Sequence, residues 1–161
     1  MSVFVADEQT RPIDTDRLRR LAEFVLSDRH VPEGMELSVL AVDRDAIAAL
    51  NSHHMDSEGP TDVLAFPIDM PGESTPGPAL LGDVVLCPDV AAEQAPAHGK
   101  TAEHELDLLL VHGILHLLGH DHAQEGERHK MFSLTDRLLA DFIQAGAPAP
   151  PHAPPETEPQ A

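Results

Sequence analysis

Apolar residues recur along this chain in two rhythms, every second position in short runs and every third or fourth position in longer ones. Ser2 to Ala6 alternates around Val3 and Val5 and predicts a strand, and Asp14 or Thr15 then caps a helix running to about Leu26. Leu37-Ser38-Val39-Leu40-Ala41-Val42 predicts a second, well-buried strand, and Asp43 caps a short helix with Ile47 and Leu50 on its inner side. Beyond a polar stretch punctuated by Gly59-Pro60, Thr61 to Phe66 predicts a third strand stopped by Pro67. The Pro- and Gly-rich segment from Asp69 to Pro78 reads as a loop, Leu80 to Cys87 as a fourth strand ending at Pro88, and Asp89 to His98 as a short helix.

From Thr101 to about Leu118 the positions Leu106, Leu109, Leu110, Ile114 and Leu117 recur at helical spacing, and Gly119 is placed to end this long central helix. A last amphipathic helix is predicted from Glu125 to Ile143 through Met131, Phe132, Leu134, Leu138 and Leu139. Gly146 to Ala161 holds six prolines and no large apolar side chain, a composition that predicts a disordered tail. The pattern therefore predicts one domain over residues 1–145, built from four strands and about five helices, and a Pro-rich tail over 146–161.

Composition narrows the picture. Apolar residues make up 42% of the 161 positions and Trp and Tyr are absent, so the expected core is aliphatic. Cys87 is the only cysteine, which excludes an intramolecular disulfide and fits a reducing cytoplasm. No basic and apolar leader opens the chain and no segment approaches the ~18 apolar residues of a membrane span, so the chain reads as soluble and unexported. The formal net charge of -18 sets a field that slows encounter with a phosphate backbone. The few cations are partly grouped, with Arg17, Arg19, Arg20 and Arg29 around the first helix and Lys100, Arg128 and Lys130 near a histidine cluster. They read as solvated helix faces, with a local basic patch as the alternative.

The candidate chemistry lies in His112-Gly113-Ile114-Leu115-His116-Leu117-Leu118-Gly119-His120-Asp121-His122. Two histidines four apart on a helix share a face, so both imidazoles reach one tetrahedral ion, zinc by preference. The turn permitted by Gly119 swings His122 toward the same ion, giving three nitrogen ligands, His112, His116 and His122, and a fourth position open for catalysis. This spacing resembles the zinc motif of metzincin proteases, except that Gly113 occupies the place of the glutamate that acts there as general base. A zinc metalloprotease would then need a carboxylate from elsewhere, for instance Asp83.

The histidine block, together with Pro60-Thr61-Asp62-Val63-Leu64-Ala65-Phe66-Pro67 and Leu81-Gly82-Asp83-Val84-Val85-Leu86-Cys87, resembles the bacterial YbeY group of metal-dependent endoribonucleases, over roughly residues 2–143. The resemblance implies an α+β fold with a small mixed sheet flanked by helices and the metal at the end of the central helix. It implies zinc ligands at His112, His116 and His122. As activity it implies single-strand-preferring endoribonuclease cleavage of ribosomal RNA at the small-subunit 3′ end, with ribosomal RNA and possible small-subunit ribosomal proteins as partners and neither DNA nor membrane. Two departures stand out. Met55 stands where many members carry an arginine, removing a planar phosphate-binding fork for which His53 or His54 is a weak substitute. His120 stands where tyrosine is common, either a turn residue or a proton-transfer group.

Asp62 and Asp83, beside apolar strands, read as turn-formers or backbone acceptors, or functionally as groups orienting a ligand histidine; Asp121 has the same two readings. Cys87 reads as a buried small hydrophobe. General base and acid are unassigned, and the 2′-hydroxyl of RNA is itself a candidate nucleophile. The competing function is a non-catalytic ribosome-assembly factor that binds basic ribosomal proteins through its acidic surface and uses the metal structurally.

Overall fold

Among the described residues the period-two runs become four strands, β1 (Ser2–Glu8), β2 (Met35–Val42), β3 (Val63–Pro67) and β4 (Ala79–Leu86). The longer rhythm becomes five α-helices, α1 (Thr15–Asp28), α2 (Arg44–His54), α3 (Pro88–Gln94), α4 (Ala102–Leu117) and α5 (Glu125–Gln144), with a 3-10 turn over Ala95–His98. These elements come from a computed structural model, which describes residues 2–54, 62–69, 79–120 and 125–146. The expected loop before Pro78 and the expected Pro-rich tail therefore fall almost wholly outside the described residues, as does Met55.

Helices begin where side chains satisfy their first N–H groups. Asp14 accepts from the Arg17 N–H at 3.0 Å, Asp43 from the Ala46 N–H at 2.9 Å and Thr101 from the His104 N–H at 3.1 Å. Cys87, expected as the last strand residue, is instead the N-cap of α3, because Pro88 has no N–H to give a strand ladder and is suited to the first helical turn.

The sheet order is β1-β2-β4-β3, with β1, β2 and β4 parallel and β3 antiparallel along β4, so the sheet is mixed. Alternation divides its side chains between two cores. Val3, Leu37, Val39, Leu81, Val84 and Leu86 face a large aliphatic layer shared with α1 and α4, closed from outside by Met131 and Leu138 of α5. Val42, Leu64, Val85 and Cys87 face the other way, against Ile47 of α2 and Val90 of α3. Cys87 is fully buried there, as expected of a small hydrophobe, and burial pushes its thiol pKa up.

Arg17 corrects the expectation that the first-helix cations sit on a solvated face. It is 8% exposed, its Nη2 and Nε lie 3.0 and 3.1 Å from Asp107 Oδ2 on α4, and its guanidinium stands 5.4 Å from the Phe142 ring centroid. Its neighbours Arg19 and Arg20 do keep to the exposed face, paired with Asp16. Burial of Asp107 outweighs the guanidinium beside it and raises the carboxyl to about 6. No helix among the described residues is long and apolar enough to cross a membrane.

Candidate metal centre and its cleft

The site grows out of one tight contact. Helix α4 crosses β3 and β4 at Gly113, where an added Cβ would lie 2.7 Å from Val84 Cγ1 and 3.2 Å from Val63 Cγ2. Only a residue without a side chain lets the helix sit this close to the sheet. The consequence for the chemistry is direct: position 113 faces the sheet, so the slot that a metzincin fills with its catalytic glutamate points here into packed valines.

His112, half-buried, is the next residue round the helix, and His116 follows one turn later; both line a cleft of about 410 Å³. The Nε2 atom of His112 is shielded from solvent, and its ring meets Phe132 of α5 at 5.1 Å between centroids, tilted by 41°. Asp62 and Val63, at the entry to β3, form one wall of the cleft. Its far end is made by His98 of the 3-10 turn, Lys100 in the link that follows and Glu105 in the first turn of α4. Glu105 is 1% exposed, and both its carboxylate oxygens lie 3.0–3.1 Å from His98 Nδ1.

The end of α4 is as the glycine predicted. Gly119 has φ +98°, its N–H donates to the His116 carbonyl and the His120 N–H donates to the Leu115 carbonyl, both at 3.0 Å, which turns the chain sharply just past His116. His120 is half-buried, and burial holds its imidazole below the usual histidine range. The next residues, Asp121 and His122, lie outside the described residues. His112 and His116 are thus brought together as expected, and among the described residues no third metal-ligating side chain joins them. Two imidazoles on one helical face are a donor set that suits zinc.

Asp62 lines the cleft, but Asp83 does not. It projects to the opposite face of the sheet, into a separate hollow with Ser38, Leu40 and Phe66, because it is out of phase with Val84, the residue that meets α4. Asp83 is therefore neither the substitute general base nor a group orienting His112 or His116. His98 and Glu105 were missed as site residues by the sequence reasoning. The signal was present: 105, 112 and 116 are spaced by seven and four, one face of a helix.

A family model for the endoribonuclease YbeY matches residues 4–143. The chain belongs to the YbeY endoribonuclease family. Curated relatives named Endoribonuclease YbeY include those of Thermobifida fusca, 50% identical over 88% of this chain and 94% of that protein, and of Salinispora tropica, 49% identical over 88% and 96%. Another, from Mycobacterium tuberculosis, is 46% identical over 89% of this chain and 84% of its own length. The solution structure of a Thermotoga maritima protein superposes with a TM-score of 0.57 at 24% identity, covering 94% of this chain and 99% of that one, and supports the fold alone.

Proposed function

We propose that this chain is a metal-dependent endoribonuclease that cleaves single-stranded segments of ribosomal RNA, in maturation of the small-subunit 3′ end, with one zinc ion held by His112, His116 and His122. The observation that carries the reading is the pair His112 and His116, one helical turn apart on the floor of an open cleft, in a YbeY family member. A purely structural metal needs no such access. Bound there, zinc supplies Lewis-acid polarisation of the phosphodiester.

The protein's own groups divide the remaining work. Phe132 and the Gly113 contact hold the His112 ring in place, and Asp62, on the cleft wall, serves to orient a ligand imidazole. Peptide hydrolysis by the metzincin route is disfavoured, since position 113 faces the sheet and Asp83 lies beyond it. The cytoplasm, with its reduced thiols and its ribosomes, is the compartment this reading requires.

The test pairs metal analysis of the purified protein with cleavage of a labelled structured RNA, comparing wild type with His116→Ala after circular dichroism shows both folded. One equivalent of zinc in the wild type, and loss of both metal and cleavage in the folded variant, is the expected result. Equal cleavage by both proteins would overturn the metal-nuclease reading in favour of an assembly factor that binds ribosomal proteins.

A further inference from the structure

The cleft is longer than a metal centre needs, and its far end is built with unusual care. Glu105 is a carboxylate at 1% exposure, a costly placement unless its oxygens are satisfied, and both are directed at His98 Nδ1. The fold thus places a buried carboxyl group against a single histidine whose own side chain is 51% exposed. A well-packed leucine at 105 would serve α4 as well or better if only stability mattered. With Nδ1 committed to Glu105, the ring is fixed in orientation and Nε2 lies on its opposite, open edge.

Lys100, two residues on, lines the same end of the cleft. Among the described residues it makes no ion pair, whereas Arg11, Arg17, Arg19, Arg44 and Arg137 are each committed to a carboxylate. Both groups also stand at the N-terminal end of the 16-residue α4, where the helix dipole favours anions. In a chain of net charge -18, a cation inside a cleft with no ion pair among the described residues is out of keeping with its surroundings.

We infer that His98 and Lys100 form a phosphate-binding subsite for the RNA strand, with Glu105 as the positioning residue of His98; this rests on the endoribonuclease reading above. His98 holds its Nδ1 edge against Glu105 and turns Nε2 toward a backbone phosphate, while Lys100 meets the same phosphate as a point charge. Seven residues of α4 separate Glu105 from His112, about 10 Å of helix, so the bound phosphate lies roughly one to two nucleotides from the scissile bond. The subsite supplies a cationic grip on the strand that does not depend on a residue at position 55.

The experiment measures binding of the zinc-loaded full chain to a non-cleavable 2′-O-methyl oligoribonucleotide by fluorescence anisotropy across a salt series, alongside steady-state cleavage of the unmodified strand. His98→Ala and Lys100→Ala, both at the open end of the cleft, should each weaken binding about three- to tenfold, raising KM with kcat unchanged, and Lys100→Ala should also lower the salt slope by about 0.7. Glu105→Gln should weaken binding in the wild-type background and have no further effect in His98→Ala. Unchanged affinity and salt slope in variants of a protein that cleaves RNA would overturn the subsite, as would a fall in kcat at constant affinity. A wild type that neither binds nor cleaves RNA would instead overturn the endoribonuclease reading, and this inference with it.

Discussion

Gly113 ties the fold to the site, and Gly113→Ala tests the connection quantitatively. In the interior of an exposed helix this substitution stabilises by about 1 kcal/mol, because alanine loses less backbone entropy. Here the new methyl would stand 2.7 Å from Val84 Cγ1 and 3.3 Å from Val84 Cγ2, against an ordinary carbon contact of about 3.5–4.0 Å. Val84 is fully buried and β-branched, so it has no alternative rotamer to retreat into and the helix must lift instead. Overpacking costs about 1–3 kcal/mol, and a contact this short belongs to the upper part of that range, about 2–3 kcal/mol, which leaves a net loss of about 1–2 kcal/mol after the propensity gain. Urea unfolding followed by far-UV circular dichroism should show that loss, and Gly113→Ala in a Val84→Ala background should show neutrality or a gain. Because His112 is the adjacent residue, RNA cleavage by the folded single variant should fall by up to about a hundredfold, the effect of a misplacement near 1 Å. A variant as stable as wild type, or the same cost in both backgrounds, would refute the contact as the reason for glycine. Gly113→Glu, which restores the metzincin pattern, should fail to fold rather than gain peptidase activity.

Asp107 makes stability depend on pH in an uncommon direction. Its folded pKa of about 6 exceeds the ordinary 3.8, so the folded state holds the proton more tightly and the contribution is most favourable below about pH 4. It is lost as pH rises through 6, by up to roughly 3 kcal/mol, and the wild type's stability relative to Asp107→Asn should decline by that amount between pH 4 and pH 7. A difference that stays flat with pH would contradict the assignment. Cys87, fully buried with its thiol pKa raised, should resist a disulfide-exchange reagent at neutral pH until the protein unfolds; modification at the rate of a free thiol would show the second core to be open.

What the sequence disclosed, and what it did not, divides by the distance over which each feature is decided. Element types were legible because each is written in one short window: Val3 and Val5 alternate, Leu18, Leu21, Ala22 and Val25 fall on one helical face, and Asp14, Asp43 and Thr101 sit where a cap must be. The pair His112 and His116 was legible for the same reason, since one helix places both and the turn at Gly119 follows immediately. The antiparallel placement of β3 along β4 was not legible from any window, because it depends on which sheet edge remains once β2 has taken the other. Arg17 and Asp107 are 90 residues apart and each alone looks like an ordinary solvated helix charge. Asp83 shows the boundary most clearly. Its alternation with Val84 is plain in the sequence, but period two says only that the carboxylate and its immediate neighbours take opposite faces. Which face meets the histidines is decided by α4 docking on Val84 through Gly113, and that contact joins segments almost thirty residues apart. A carboxylate can therefore lie within a family-like motif, one residue from the helix contact, and still be separated from His112 and His116 by the full thickness of the sheet.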